Sequence, residues 1–281
     1  MTHNITVEGG KSLRLYTAGK YCDRDIVITA GGGVSGGLVL CGEASEVGSF
    51  EFDNTSLTSV DLPNATSIDA HAFQNCSALT SVNLPSAKSI GEIAFQDCSA
   101  LTSVNLPSAT VISNHAFAGC TALTSVDLPN VTNIGKLAFW ECNFASVNFP
   151  IAKSIGQSAF QHCTALTRVD LPAVTSIGQG AFFGCTNLKT FIIRNEDAVC
   201  ELDVTAIVST GILTEEGAPT GEGFLYLPTK FYEEYVAMMA MQVAYLLMQM
   251  MGMGEAEAQA TADYMTRAVI RKIEDYPEIC G

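Results

Sequence analysis

The stretch LTSVNLPSAKSIGEIAFQDCSA, residues 79–100, runs straight into LTSVNLPSATVISNHAFAGCTA, residues 101–122. Aligned on the leading residue, the copies begin at Leu57, Leu79, Leu101 and Leu123, then at Phe144 after one missing residue, then at Leu166, with a degenerate copy from Leu188. Self-similarity at a fixed period of this length is the signature of a solenoid, in which each repeat buries its apolar face against its neighbours.

Each copy reads L-x-x-V-x-L-P, then A-x-x-I-G, then A-F-x-x-C. Val60 and Leu62 stand two apart with Asp61 between them, so both point inward from a short strand while Ser59 and Asp61 face out. Pro63, Pro85, Pro107, Pro129, Pro150 and Pro172 end the strands, because proline cannot donate to a ladder. Ile68, Ile90, Ile112, Ile134, Ile155 and Ile177 supply a second inward anchor, and the glycine that commonly follows is expected to permit the next turn. Phe73, Phe95, Phe117, Phe139, Phe160 and Phe182 form a column, each contributing about 1.5 to 3 kcal/mol of burial.

This pattern resembles the BspA-like, or Treponema-type, leucine-rich repeats, over about residues 50–193. The resemblance implies a right-handed, gently curved solenoid, a protein-interaction role and no chemistry. The fold expected is an α+β repeat solenoid: a leucine-rich repeat rod of about 6–7 coils with an amino-terminal β segment and a carboxy-terminal helical hairpin. The divisions expected are an attachment segment over 1–30, a Gly-rich linker over 31–37, the solenoid with its end strands over 38–229 and the hairpin over 230–281.

Cys76, Cys98, Cys120, Cys142, Cys163 and Cys185 each fall three residues before the next leading position, with Asn54 in that slot ahead of Leu57. Parallel side chains on neighbouring coils keep about 4.8 Å, whereas a disulfide needs about 3.5 to 4.5 Å between Cβ atoms. These six therefore read as buried free thiols, and no C-x-x-C pair offers metal ligands. Cys22, Cys41, Cys200 and Cys280 stand outside the pattern.

The amino terminus MTHNITVEGGKSLRLYTAG has no apolar h-region, so no secretory signal is visible and synthesis is expected in the cytoplasm. A net charge of −15, with few and scattered Lys and Arg, excludes nucleic acid as a partner and disfavours anionic membranes. ITVEGG, KSLRLYTAG and DIVITA read as three short strands ahead of GGGVSGG at 31–37. The string TAGKYCDRDIVITA resembles a short module of tail and other structural proteins of Gram-positive prophages, which implies attachment to a larger assembly; a plain β-hairpin packed on the first coil is the alternative.

After GFLYLP at 223–228 comes KFYEEYVAMMAMQVAYLLMQMMGMG, apolar from Val236 to Met253 except for Gln242 and Gln249. Its length reaches the lower limit for a membrane span, but acidic residues bracket it and no Lys or Arg flanks its far end. A second helix is expected over 255–276, with Ala262, Met265, Val269 and Ile273 as its apolar stripe. The hairpin reads as a cap on the exposed last coil, as a surface for homo-oligomerisation or a partner through 230–281, or as a membrane-active element.

On the strand face the columns Ser59, Ser81, Ser103, Ser125, Ser146 and Asp61, Asn83, Asn105, Asp127, Asn148, Asp170 are small, polar and monotonous. Variation concentrates after Ile and after Phe, at Asp69 to His71, Glu92 and Ile93, Asn114 and His115, Lys136 and Leu137, and at Gln74, Gln96, Ala118, Trp140, Gln161, Phe183. Exposed aromatics are typical binding anchors, so Trp140 and Phe183, with Gln161, His115 and Leu137, are the candidate partner-binding residues. The alternative is that both rings fold back on the flank.

No catalytic, cofactor or metal residues are nominated. Asp127 and Asp170 are two coils apart, about 10 Å, which leaves only a marginal inverting glycosidase geometry. The cysteines point into an apolar core, and no Walker loop, G-x-S-x-G or H-E-x-x-H occurs. The chain therefore reads as a non-enzymatic display and recognition protein that contacts a protein or glycan. It is expected on a virion as a phage or prophage component, or on a cell surface as a BspA-like adhesin.

Overall fold

The computed structural model describes residues 57–275 other than 64, 216 and 217, together with the strand backbones His3–Val7, Leu13–Thr17, Ile26–Ala30, Gly36–Gly42 and Glu46–Val47. Cys22, Cys280, the side chain of Cys41, linker residues 31–35 and the last six residues lie outside this description. The chain divides into two compact units, Met1–Phe144 and Ala145–Gly281. Both are parallel β-solenoids, about six turns in all, and the second ends in a helical pair.

In the first unit the L-x-x-V-x-L blocks form the strands Leu57–Asp61, Ser81–Asn83 and Ser103–Asn105. They pair parallel in register, Val60 on Val82 and Val82 on Val104. Alternation does what it should: Val60 and Leu62 are 2% and 1% exposed, while Asp61 between them is only half-buried. Two-residue strands at Ile68, Ile90, Ile112 and Ile134 build a second parallel ladder. In the fourth copy the first ladder shrinks to a single bridge from Asn105 to Asp127.

The A-F-x-x-C block closes each coil. The Phe73, Phe95 and Phe117 N–H groups donate to the alanine carbonyls of the next coil at 2.7–2.8 Å. The rings of Phe73, Phe95, Phe117 and Phe139 stack at 5.1–5.5 Å within 10° of parallel. In-register parallel coils leave only this offset-stacked arrangement, and it adds about 0.5–1.5 kcal/mol per pair to burial.

The glycine after Ile has a different reason from the one expected. Gly91 and Gly135 do not take a positive φ. A Cβ on Gly91 would lie 2.5 Å from the Asp69 carbonyl carbon, and one on Gly135 would lie 2.6 Å from the Asn114 nitrogen. These glycines serve the close approach of two backbones. The left-handed positions lie two and six residues further on, at His71, Ile93, His115 and Leu137, and at Asn75, Asp97, Gly119 and Glu141.

The amino-terminal strands pair parallel, His3–Val7 with Ile26–Ala30, and Leu13–Thr17 with Gly36–Gly42. A hairpin would pair antiparallel. Gly36–Gly42 pairs in turn with Leu57–Asp61, so the last two residues of the expected linker belong to a strand stacked on the first repeat.

In the second unit the sheet runs through Ser146–Asn148, Arg168–Leu171, Thr190–Ile193, Phe224–Leu227 and Ile270–Lys272, all parallel. Phe160 and Phe182 continue the stacked motif at 5.2 Å, and Phe191 meets Phe182 edge-on.

Helix α1, Tyr232–Met251, ends at Gly252 in the left-handed conformation, and helix α2 spans Glu255–Val269. Tyr235, Val236, Met239, Ala240, Val243 and Leu247 bury one face of α1. The Tyr235 hydroxyl accepts from the Cys200 N–H at 2.7 Å. The Gln242 amide accepts from the Val204 N–H and donates to the Leu202 carbonyl at 3.0 Å. Backbone groups at the array's end that would otherwise lack partners are thus satisfied by α1. No helix among the described residues is long and apolar enough to cross a membrane.

Helix α2 is shorter than its apolar stripe suggests. Ala262 and Val269 are buried, joined by Ala258 and Thr266, but Ile270–Lys272 leaves the helix and pairs with Phe224–Leu227. The open edge of that strand, with β-branched Val269 and Ile270 at the junction, outweighs the helical period. The outer faces expose Met241, Tyr245, Met251 and Tyr264.

Candidate interaction surface

The described repeat cysteines face the core. Cys76, Cys98, Cys120, Cys142, Cys163, Cys185 and Cys200 are free and buried. Burial pushes the Cys76 and Cys120 thiols up from 9.0 to about 12, and drives Cys98 and Cys142 up as well. Four of the repeat thiols also have a partner that sequence spacing does not show. The Sγ of Cys98, Cys120 and Cys142 donates to the carbonyl of Phe73, Phe95 and Phe117 one coil back, at 3.1–3.3 Å, and Cys185 does the same to Phe160. A small donor that fits an apolar slot explains the residue better than any reactivity. Among the described residues no group of three His, Cys, Asp or Glu side chains could hold a metal.

The nominated residues lie in the turn columns. In the first unit His115 and Leu137 occupy equivalent left-handed positions on adjacent coils, joined through the His115 N–H to the Lys136 carbonyl at 2.8 Å. Trp140, on the same unit, is half-buried, and its N–H donates to the Leu137 carbonyl. In the second unit Gln161 lies 3.2 Å from the His162 ring, which meets Phe183 edge-on at 5.8 Å. Phe183 is also half-buried. Neither ring is fully exposed. Each belongs to its own unit, and the structure groups the five as two sets.

The strand face separates into two chemistries. In the first unit it is a closed ladder: Asn105 Nδ2 donates to Asn83 Oδ1 at 2.7 Å, and Asn83 Nδ2 to Asp61 Oδ1 at 2.8 Å. Thr80 and Thr102 hydroxyls donate to the carbonyl one coil back. The repeated polar residues therefore hold coil to coil.

In the second unit Arg168 stands where the earlier copies carry Ser, and it pairs in register with Ser146. Asp170 accepts from Arg194 Nε at 2.8 Å and Nη2, and from Arg168 Nη2 at 3.3 Å. Ser146, Asn148, Arg168, Asp170, Pro172 and Arg194 line a groove of about 430 Å³. Both arginine side chains are 36% exposed. Sequence reading passed over this cluster, although the change from Ser to Arg in an otherwise uniform column was the signal that marks it.

Six copies of a family model described as the BspA type leucine rich repeat region match residues 45–153 and 88–203, more than half of the chain. The chain belongs to the BspA-type leucine-rich repeat family. No curated protein matches it. Among solved structures, a leucine-rich repeat protein from Bacteroides ovatus is 30% identical over 56% of this chain, with a TM-score of 0.47; the chain spans 50% of that structure. A leucine-rich repeat protein from T. pallidum is 24% identical over 68% of each chain, with a TM-score of 0.34. A leucine rich cell surface protein from Faecalibacterium prausnitzii is 19% identical over 80% of this chain and 84% of its own, with a TM-score of 0.35. For a BspA-type chain the ladder and the stacked rings are scaffold. Arg168 leaves the consensus of its column.

Proposed function

We propose that this BspA-type chain is a non-enzymatic recognition protein, displayed on a cell or virion surface, whose repeat array contacts a partner through its strand face in the second unit. One observation carries the reading. The first-unit face repeats one Asn/Asp ladder from coil to coil, whereas the second-unit face departs from the consensus at Arg168 and opens into a groove lined by Arg168, Asp170 and Arg194. Burial raises the Cys76 and Cys120 pKa values, which makes these thiols poor nucleophiles. The amino-terminal likeness to prophage structural proteins adds the virion to the cell envelope as a place of display.

Fractionating a producing culture after prophage induction, with an antibody to the chain, tests display. The chain is expected with intact virions or with the envelope. Recovery solely as a free cytosolic protein refutes the reading.

A further inference from the structure

We infer that two copies of this chain associate through the outer face of helix α1, packed antiparallel about a two-fold axis beside Tyr245. The inner face seals the end of the array, and that role accounts for one side of the helix only. Ala237, Met241, Tyr245, Met248 and Met251 fall on the opposite side at 3.6 residues per turn and are all exposed, Met241 by 65% and Tyr245 by 62%. Outside the two helices, no large apolar side chain among the described residues exceeds the 41% exposure of Ile151.

The stripe is complementary to itself. Positions symmetric about its midpoint pair Met241 with Met248 and small Ala237 with long Met251, while Tyr245 falls near the axis and meets its own copy. An isologous contact requires this reciprocity, residue i on j and j on i. Area agrees. The exposed parts of these side chains amount to on the order of 500 Å² per copy, so a pair buries about 1,000 Å², the size at which specific interfaces begin.

Charge sets the direction. No charged side chain occurs from Val236 to Gly254, so no local charge opposes contact between two chains that each carry −15. Glu233 and Glu234 stand in the first turn of α1. Antiparallel packing sets them beside the uncharged last turn of the other copy, whereas parallel packing would bring four carboxylates together. A lipid surface fits less well, because helices that lie on membranes carry Lys and Arg on their polar face and α1 has neither.

Sedimentation equilibrium of the full chain, from about 1 to 100 µM, tests the association. The weight-average mass is expected to rise from 29.8 kDa toward twice that value. Tyr245→Glu, which places a charge at the axis, should weaken association at least about tenfold. Direction is tested by Met241→Lys and Met248→Glu: each should self-associate less than wild type, and their equimolar mixture should recover, because antiparallel packing brings position 241 of one copy to position 248 of the other. Thermal melts matching wild type establish that the variants are folded, and if Tyr245→Glu does not fold, the mixed pair carries the comparison. The inference is overturned if the wild-type chain stays at 29.8 kDa throughout, if folded Tyr245→Glu associates as tightly as wild type, or if the mixture associates no better than its components. A monomeric chain that floats with phosphatidylcholine vesicles overturns it too and makes lipid the occupant of the stripe.

Discussion

Replacing Gly91 by alanine isolates the force that sets the distance between coils. The new Cβ would sit 2.5 Å from the Asp69 carbonyl carbon, 2.6 Å from the Ala70 nitrogen and 2.7 Å from the Asp69 oxygen, all backbone atoms that no rotamer change removes. Relief requires the two coils to part locally. Yet the Gly91 N–H is bonded to the Ile68 carbonyl at 2.8 Å, and the His71 N–H to the Glu92 carbonyl at 2.9 Å, across the same gap. The third copy shows how far the array can give: Ser113 holds this slot, and its N–H reaches the Ile90 carbonyl at 3.0 Å. Overpacking of this kind costs about 1–3 kcal/mol, and in a chain of this size each kcal/mol lowers Tm by about 2–4 °C. Thermal unfolding followed by far-UV circular dichroism should therefore show Gly91→Ala melting roughly 2 to 12 °C below wild type. The control is Gly180→Ala, where φ is +61° but the nearest foreign atom to a Cβ, Ser158 Oγ, is 3.4 Å away. That substitution meets only the dihedral penalty, about 1–2 kcal/mol. If Gly91→Ala melts with wild type, or Gly180→Ala falls further than Gly91→Ala, backbone approach is not what selects glycine at position 91.

Two further outcomes follow from the buried polar groups. The Cys76 and Cys120 thiols keep their protons in the folded chain up to about pH 12, whereas the unfolded chain releases them near 9.0. The folded state thus binds more protons between those values, and stability is expected to fall as pH rises from 9 toward 12. Tm measured at pH 8, 9 and 10 should drop, with a shallower slope in Cys120→Ala; a flat profile in the wild type would contradict the burial of these thiols. Gln242→Leu strips the Val204 N–H and the Leu202 carbonyl of their side-chain partner, and should cost about 2–4 kcal/mol in urea unfolding. A cost under about 0.5 kcal/mol would mean that α1 does not seal the last coil.

How far the fold could be read from sequence depends on whether a feature repeats. Val60, Ile68 and Phe73 recur in register, so their burial, their stacking and the coil path were visible from the chain alone. The Cys98 to Phe73 hydrogen bond was not, because it joins residues 25 apart whose proximity exists only once the coil closes. Left-handed φ at Ile93 and Leu137 was hidden for another reason: β-branched and bulky side chains are the ones that local rules exclude from that conformation, and neighbouring coils impose it. Ile270–Lys272 shows tertiary context overriding period, since an apolar stripe that continues as a helix in sequence meets an open strand edge. The turn residues His115, Leu137, Trp140, Gln161 and Phe183 were legible as variable. The arginine groove depends on Arg194, which lies beyond the last clear copy, and only the register of Arg168–Leu171 with Thr190–Ile193 brings it to Asp170.

The thiol-to-carbonyl bond one coil back makes the three first-unit seams from Phe73 to Cys142 chemically alike. Excising residues 79–100 whole would set Leu101 where Leu79 stood and hand Cys120 the Phe73 carbonyl that Cys98 now uses. Because coil energies in such arrays are nearest-neighbour sums, the loss is one increment of stability and leaves no broken joint. Near-identical tandem copies are also where recombination slips, and in the first unit such an event would change the number of coils without changing the joint between them.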